Sequence, residues 1–215
     1  MNTRSLDRAL SQRGADVTRL ARALAKSPEH LDCVLVGLRA DAAAVRFNSS
    51  KTLLALAEES PETLRPCIGS ILELLDSENK LLKAAAIRTL GHLAPVDSAG
   101  RITRALPKIL APIPGPDLVV ACNALEGAGM IARAKPRQTA RIVEAILSVR
   151  KGRYRTAECR NIAIGKALDA LEALPAGPTQ REAIERFARQ QRKNPRKSTR
   201  MRAERLLRRI ESGGA

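Results

Sequence analysis

Apolar and small residues recur along this chain in a phrase that returns five times. A basic or small residue is followed three positions later by a small one. An apolar or small residue comes four positions after that, and another apolar residue three later still. The clearest copy is Lys83, Ala86, Leu90, Leu93 and Ala94. The others begin at Arg46 (Ser49, Leu53, Leu56, Ala57), Ala121 (Ala124, Ala128, Ile131, Ala132), Arg160 (Ala163, Ala167, Ala170, Leu171) and Arg200 (Ala203, Leu207, Ile210). Successive first members lie 37, 38, 39 and 40 residues apart. Steps of three and four hold residues on one helix face. A period near 40 residues marks a stack of helical units, each too small to bury its apolar face alone.

The same pattern predicts helix pairs. An opening helix or two covers Ser5–Lys26. Glu29–Arg39 then pairs with Ala42–Glu58, Glu62–Leu75 with Lys80–Ala94, and Ala99–Leu110 with Asp117–Arg133. Arg137–Val149 pairs with Arg155–Leu174, and Thr179–Gln191 with Lys197–Glu211. Ser27-Pro28-Glu29, Ser60-Pro61-Glu62 and Gly115-Pro116-Asp117 read as helix starts. Serine can cap in the first two, and proline is tolerated in the first turn because its missing N–H had no partner there. Pro66 and Pro107 fall within helices and are expected to bend or shorten them. No segment alternates with the period of a strand. Ser49, Ala86, Ala124, Ala163 and Ala203 share one position. Small side chains there let helices approach closely, and the predicted seam lies between neighbouring repeats.

The stretch Leu81-Leu82-Lys83-Ala84-Ala85-Ala86-Ile87-Arg88-Thr89-Leu90-Gly91-His92-Leu93-Ala94 resembles the second helix of a HEAT repeat, and the likeness extends over residues 29–211. The resemblance implies an all-α fold, a right-handed α–α superhelix of about five HEAT-like pairs. An N-terminal helical cap is expected over 1–26, the repeats over 27–211 as a single domain with that cap, and a disordered tail over 212–215. It implies a binding surface and leaves the partner open, because one fold serves many functions. Second helices usually line the inner wall of such arrays. Lys51, Arg88, Glu126 and Arg205 fall on equivalent turns of them, with Glu126 interrupting the cations.

Charge narrows the picture. The 38 Lys and Arg against 22 Asp and Glu give a net of +16. Residues 1–132 carry +2 of it and residues 133–215 carry +14. Such asymmetry points to an anionic partner. Two clusters stand out. The first is Arg150, Lys151, Arg153 and Arg155 around Tyr154, at the joint of the fourth pair. The second runs through Arg192, Lys193, Arg196, Lys197, Arg200, Arg205 and Arg208. Leu206, Leu207, Ile210 and Ala203 face away from that second set, so the last helix is amphipathic with a cationic outside. A terminal repeat needs a polar outer face in any case. A block of like charge is, besides, the usual mark of an interaction surface.

The nature of the anion follows from what is scarce. Single strands are held by aromatic platforms, and the chain has only Phe47, Tyr154 and Phe187, with no Trp. Duplex DNA or structured RNA gripped by its phosphates needs only Lys and Arg, and Arg pairs bidentately with phosphate. An acidic protein surface would accept the same charges. Membrane insertion lacks the Trp and Phe that interfacial helices favour.

Catalysis finds little support. His30 and His92 have no local nucleophile or acid partner in a recognisable arrangement. Gly127 and Gly129 lie within a helix with no preceding strand, so they read as packing glycines and not as a phosphate loop. Some HEAT-like proteins of similar size and basicity excise alkylated bases from DNA, relying on tryptophans that this chain lacks. Cys33, Cys67, Cys122 and Cys159 are too scattered for a structural zinc site and read as buried free thiols, as in a reducing compartment. The sequence-based expectation is a monomeric, cytoplasmic, non-catalytic binding protein with no cofactor and no metal.

Overall fold

The computed structural model describes residues 3–175 and 177–212. Positions 213–215 of the expected tail lie outside the described residues. Among those described, every regular element is a helix. The chain divides into two compact units, residues 1–102 and 103–215.

The first unit holds α1 (Thr3–Ser11), α2 (Val17–Lys26), α3 (Leu31–Gly37), α4 (Ala43–Glu59), α5 (Pro61–Leu64), α6 (Ile68–Glu73) and α7 (Lys80–Leu93). α4 is its centre, packed against α2 and α3 as well as α7. Leu6, Leu24, Leu56, Leu64, Ile68 and Leu90 fill the core. The first helix of the second pair is interrupted as Pro66 requires: a 3-10 turn over Arg65–Cys67 separates α5 from α6, because proline has no N–H to give to the preceding turn.

The second unit holds α8 (Arg101–Leu110), which starts at the boundary, then α9 (Leu118–Ala134), α10 (Thr139–Leu147), α11 (Ala157–Glu172), α12 (Pro178–Gln191) and α13 (Lys197–Glu211). α11 is sandwiched between α9 and α13, and α12 packs on α13. α8 continues through Pro107 without a break.

The register of the repeats is confirmed residue by residue. The second helices begin at Ala43, Lys80, Leu118, Ala157 and Lys197. In each, the first member of the repeated phrase is the fourth residue. The shared small positions are all buried, with Ser49, Ala124, Ala163 and Ala203 at 0% exposure and Ala86 at 3%. At Ser49 the close neighbour is Gly37 of α3, where an added Cβ would meet the Ser49 Oγ at 2.2 Å. The seam there lies within a helix pair, not between repeats as expected. Two glycines also lie at contacts between repeats. A Cβ on Gly129 of α9 would touch Ala170 of α11 at 3.6 Å, and one on Gly165 of α11 would meet Thr199 and Arg202 of α13 at 3.0 Å. At Gly129 such a Cβ would make ordinary van der Waals contact, so the space there does not demand glycine, whereas at Gly165 the neighbours would have to give way.

The helix starts correct two details. Ser27 and Ser60 stand before proline-led turns as expected, but neither side chain makes a capping hydrogen bond. Pro116 lies outside α9. Asp117 is that helix's N-cap, its Oδ1 accepting from the Val119 and Val120 amides at 3.1 and 3.2 Å. A carboxylate that takes two orphan amides fixes the helix start more firmly than a proline can. Asn79 caps α7 in the same way, and Thr156 caps α11.

Candidate functional site

The first basic cluster sits on a joint that is pinned to its neighbour. The Arg153 amide donates to the Pro114 carbonyl at 2.7 Å, and the buried Tyr154 hydroxyl donates to the Ile113 carbonyl. Gly115 adopts φ +92°, a left-handed backbone where glycine carries no Cβ penalty. Gly152 is tighter still, since a Cβ there would come within 2.4 Å of the Tyr154 ring and 3.0 Å of the Pro114 carbonyl oxygen. Tyr154 is therefore a fastener between joints 111–117 and 150–156, out of reach of any stacked base. Burial pushes its hydroxyl well above the ordinary phenol range. Gly152→Ala is expected to cost about 1–3 kcal/mol through overpacking, read as a lower midpoint in thermal or urea denaturation.

From this pinned joint Lys151, Arg153 and Arg155 project into solvent. None has a carboxylate partner among the described residues. Arg150 is also exposed, and its Nε donates to the Leu147 carbonyl at 3.2 Å.

The joint of the second cluster, 192–196, is docked beside the first turn of α11. The Asn194 side-chain amide donates to Asn161 Oδ1 at 3.2 Å, the Thr199 hydroxyl donates to the Asn161 carbonyl at 2.9 Å, and Arg196 pairs with Glu158. Joints 111–117, 150–156 and 192–196 thus lie side by side along one edge of the second unit. Arg192 and Lys193 on the third joint, and Lys197 at the start of α13, are exposed with no carboxylate partner among the described residues. Arg208, farther along α13, is exposed in the same way.

The remaining arginines of α13 are engaged internally. Arg202 Nε lies 2.9 Å from Asp169, while Arg205 reaches Asp169 at 2.9 Å and Glu172 at 2.6 Å. Donating to the Glu172 carboxylate raises the Arg205 guanidinium above its ordinary value. Arg88 on α7 meets Glu58 on α4 at 3.3 Å. Arg88 and Arg205 are the ninth residues of their helices, and Glu58 and Glu172 are the sixteenth residues of the helices before them. The row of cations on second helices is, at these two places, a rung of ion pairs between repeats.

Arg200 carries a related lesson. Its Nη1 donates to the Asn194 and Pro195 carbonyls, both at 2.8 Å. Arg46 donates from Nη1 to the Ala40 and Asp41 carbonyls, both at 2.6 Å. In each case the acceptors lie six and five residues back. The basic first member of the phrase is, in these two repeats, a clamp on the joint before its own helix. Of the predicted cations, Arg196, Arg200 and Arg205 are therefore held by the fold, Arg150 is exposed but bonded to the Leu147 carbonyl, and Lys151, Arg153, Arg155, Arg192, Lys193, Lys197 and Arg208 stand open. Arg133, Arg137 and Arg141 are also exposed, away from the edge that carries both clusters. Only the charge excess beginning at residue 133 hinted at them.

The other candidate chemistry is sparse. His30 lies 3.9 Å from Glu29, and His92 lies 3.5 Å from Glu58, beside Arg88. Among the described residues no three His, Cys, Asp or Glu side chains gather as metal ligands, and no helix is long and apolar enough to cross a membrane. The four cysteines are free and half-buried, more accessible than expected. Burial raises the thiols of Cys33, Cys67 and Cys122 above their ordinary value.

No protein-family model matches the sequence, and no curated protein matches it by sequence. The fold does match solved structures. An engineered protein known from a crystal structure superposes with a TM-score of 0.67 at 18% identity, covering 99% of this chain and 90% of its own. A designed armadillo repeat protein gives 0.68 at 17% identity, covering 96% and 92%. Another, in complex with the peptide (KR)4, gives 0.66 at 13% identity, covering 96% and 90%.

Proposed function

We propose that this chain, whose fold is that of the armadillo/HEAT-like helical repeats, is a non-catalytic binding module that grips nucleic-acid phosphates. The ligand is duplex DNA or structured RNA. The contact is the edge formed by joints 150–156 and 192–197. One observation carries the reading: these two docked joints hold six cations (Lys151, Arg153, Arg155, Arg192, Lys193, Lys197) with no carboxylate partner among the described residues, while Arg202 and Arg205 next to them are paired. Cations needed only for folding would be expected to find partners as those two do. The only aromatic residue in the region is buried, which favours phosphate contact over base stacking. Four free thiols suit a reducing compartment, and the proposed setting is a cytoplasmic monomer.

The test is a gel shift or anisotropy titration against duplex DNA, a structured RNA and a single strand. With about five phosphates engaged, duplex affinity falls several hundred-fold between 50 and 200 mM salt, on the order of the counterion-release relation. Absence of any duplex or structured-RNA complex at low salt would overturn the reading. So would affinity that ignores salt.

A second reading, an acidic protein partner, draws on the neighbour that holds a peptide. That peptide is basic, whereas the open charges here call for an acidic one. Partner capture that survives nuclease treatment favours this reading.

A further inference from the structure

The first unit carries a different surface. Between the joint of α1 and α2 and the start of α4 lies an open hollow of about 560 Å³. Ala15, Val17, Ala43, Ala44 and Phe47 give it an apolar floor and wall. Phe47 is 53% exposed, an unusual position for one of only three aromatic residues in the chain. Hiding a ring of this size from water is worth far more than hiding the alanines around it.

The hollow is built. The buried Asn48 side-chain amide donates to the Leu10 and Gln12 carbonyls at 2.7 and 2.9 Å, tying α4 to the end of α1. Gly14, at φ +77°, makes the left-handed turn that brings the chain back into α2. Both walls are therefore fixed without a ligand, which lowers the ordering cost of filling the space.

Its rim has one sign of charge. Arg13 and Lys51 line it, and no Asp or Glu does. The Lys51 Nζ rests 5.6 Å from the centre of the Phe47 ring, so that cation is drawn over the apolar floor. The nearest carboxylate in sequence, Asp16, turns away to cap α2, accepting from the Arg19 amide at 3.0 Å.

We propose that this hollow is a docking site for a protein segment carrying one bulky apolar side chain flanked by carboxylates. The apolar side chain stacks on Phe47 and displaces the Lys51 ammonium toward the rim. The flanking carboxylates then meet Lys51 and Arg13. A purely apolar segment leaves both cations facing an apolar surface, and a basic segment is repelled by them. The site shares no residue with the phosphate-binding edge and stands or falls separately from it.

The probe is a short fluorescent peptide with a central Leu between pairs of Glu, titrated by anisotropy against the full chain. Binding is expected to weaken roughly ten- to hundred-fold in Phe47→Ser, as for losing the burial of one large apolar side chain. It should also weaken in Lys51→Glu, with an unchanged helical circular-dichroism melt in both. Replacing the peptide's Leu by Ser should abolish the complex. A Lys151→Ala/Arg153→Ala/Arg155→Ala protein should bind the peptide as the unaltered chain does. The proposal is overturned if the peptide does not bind, if Phe47→Ser binds it equally, or if the Leu-free peptide binds as tightly. Loss of peptide binding only in the triple-alanine protein also overturns it, by moving the peptide to the phosphate-binding edge and leaving the function proposed above untouched.

Discussion

Lys151→Ala/Arg153→Ala/Arg155→Ala is expected to weaken duplex binding about 500-fold at 0.1 M salt and to make the log–log salt slope shallower by about 2.7, as for the loss of three phosphate contacts. The three side chains extend from a joint held by Tyr154, Gly152 and the Arg153 amide, so their removal leaves the backbone where it is. Among the described residues they have no carboxylate partner whose charge would be stranded. The melt should therefore stay close to that of the unaltered chain. Arg205→Ala supplies the contrast. It strands Glu172, while Asp169 keeps its pair with Arg202. The melt should fall while the salt slope hardly moves. Equal slope changes in the two variants would sink the assignment of open and paired cations.

That contrast marks where the sequence stops being legible. The repeat register is written in the chain itself: the phrase starting at Arg46, Lys83, Ala121, Arg160 and Arg200 locates the fourth residue of each second helix. Helix faces follow from such spacing because they depend on local geometry alone. The fate of a cation depends on what the next repeat brings to it. Arg205 and Arg208 lie on adjacent turns of α13, and only Arg205 faces the carboxylates of α11. Part of the answer was nonetheless in view. With the register known, Glu58 and Glu172 fall at one position and Arg88 and Arg205 at another in the repeat that follows. Opposite charges at fixed positions of successive repeats are a recognisable signature of rungs. The clamp at Arg46 and Arg200 had no such signal, because its acceptors are backbone carbonyls that every residue has.

Phe187→Ala is expected to destabilise the second unit by about 3–5 kcal/mol, the usual cost of truncating a fully buried aromatic side chain. The reason is how little else holds α12. Of its fourteen residues only Ile184, Phe187 and Ala188 are buried, and Phe187 is 1% exposed. The Arg186–Glu182 and Arg189–Glu185 pairs lie on its outer surface and add only tenths of a kcal/mol each. Against a typical domain stability of about 5–15 kcal/mol, the loss should lower the midpoint by on the order of 10–20 °C. Hydrogen exchange should rise first in α12 and in the joint at 192–196 that follows it. Phosphate binding should then lose the share of Arg192, Lys193 and Lys197 before that of Lys151, Arg153 and Arg155, whose joint is fastened to 111–117 instead. Phe47→Ala is the matched control: the same atoms are deleted from a half-exposed ring, and the melt should move little. If both variants melt alike, Phe187 is not the anchor of α12, and the coupling between that helix and the basic edge has to be abandoned.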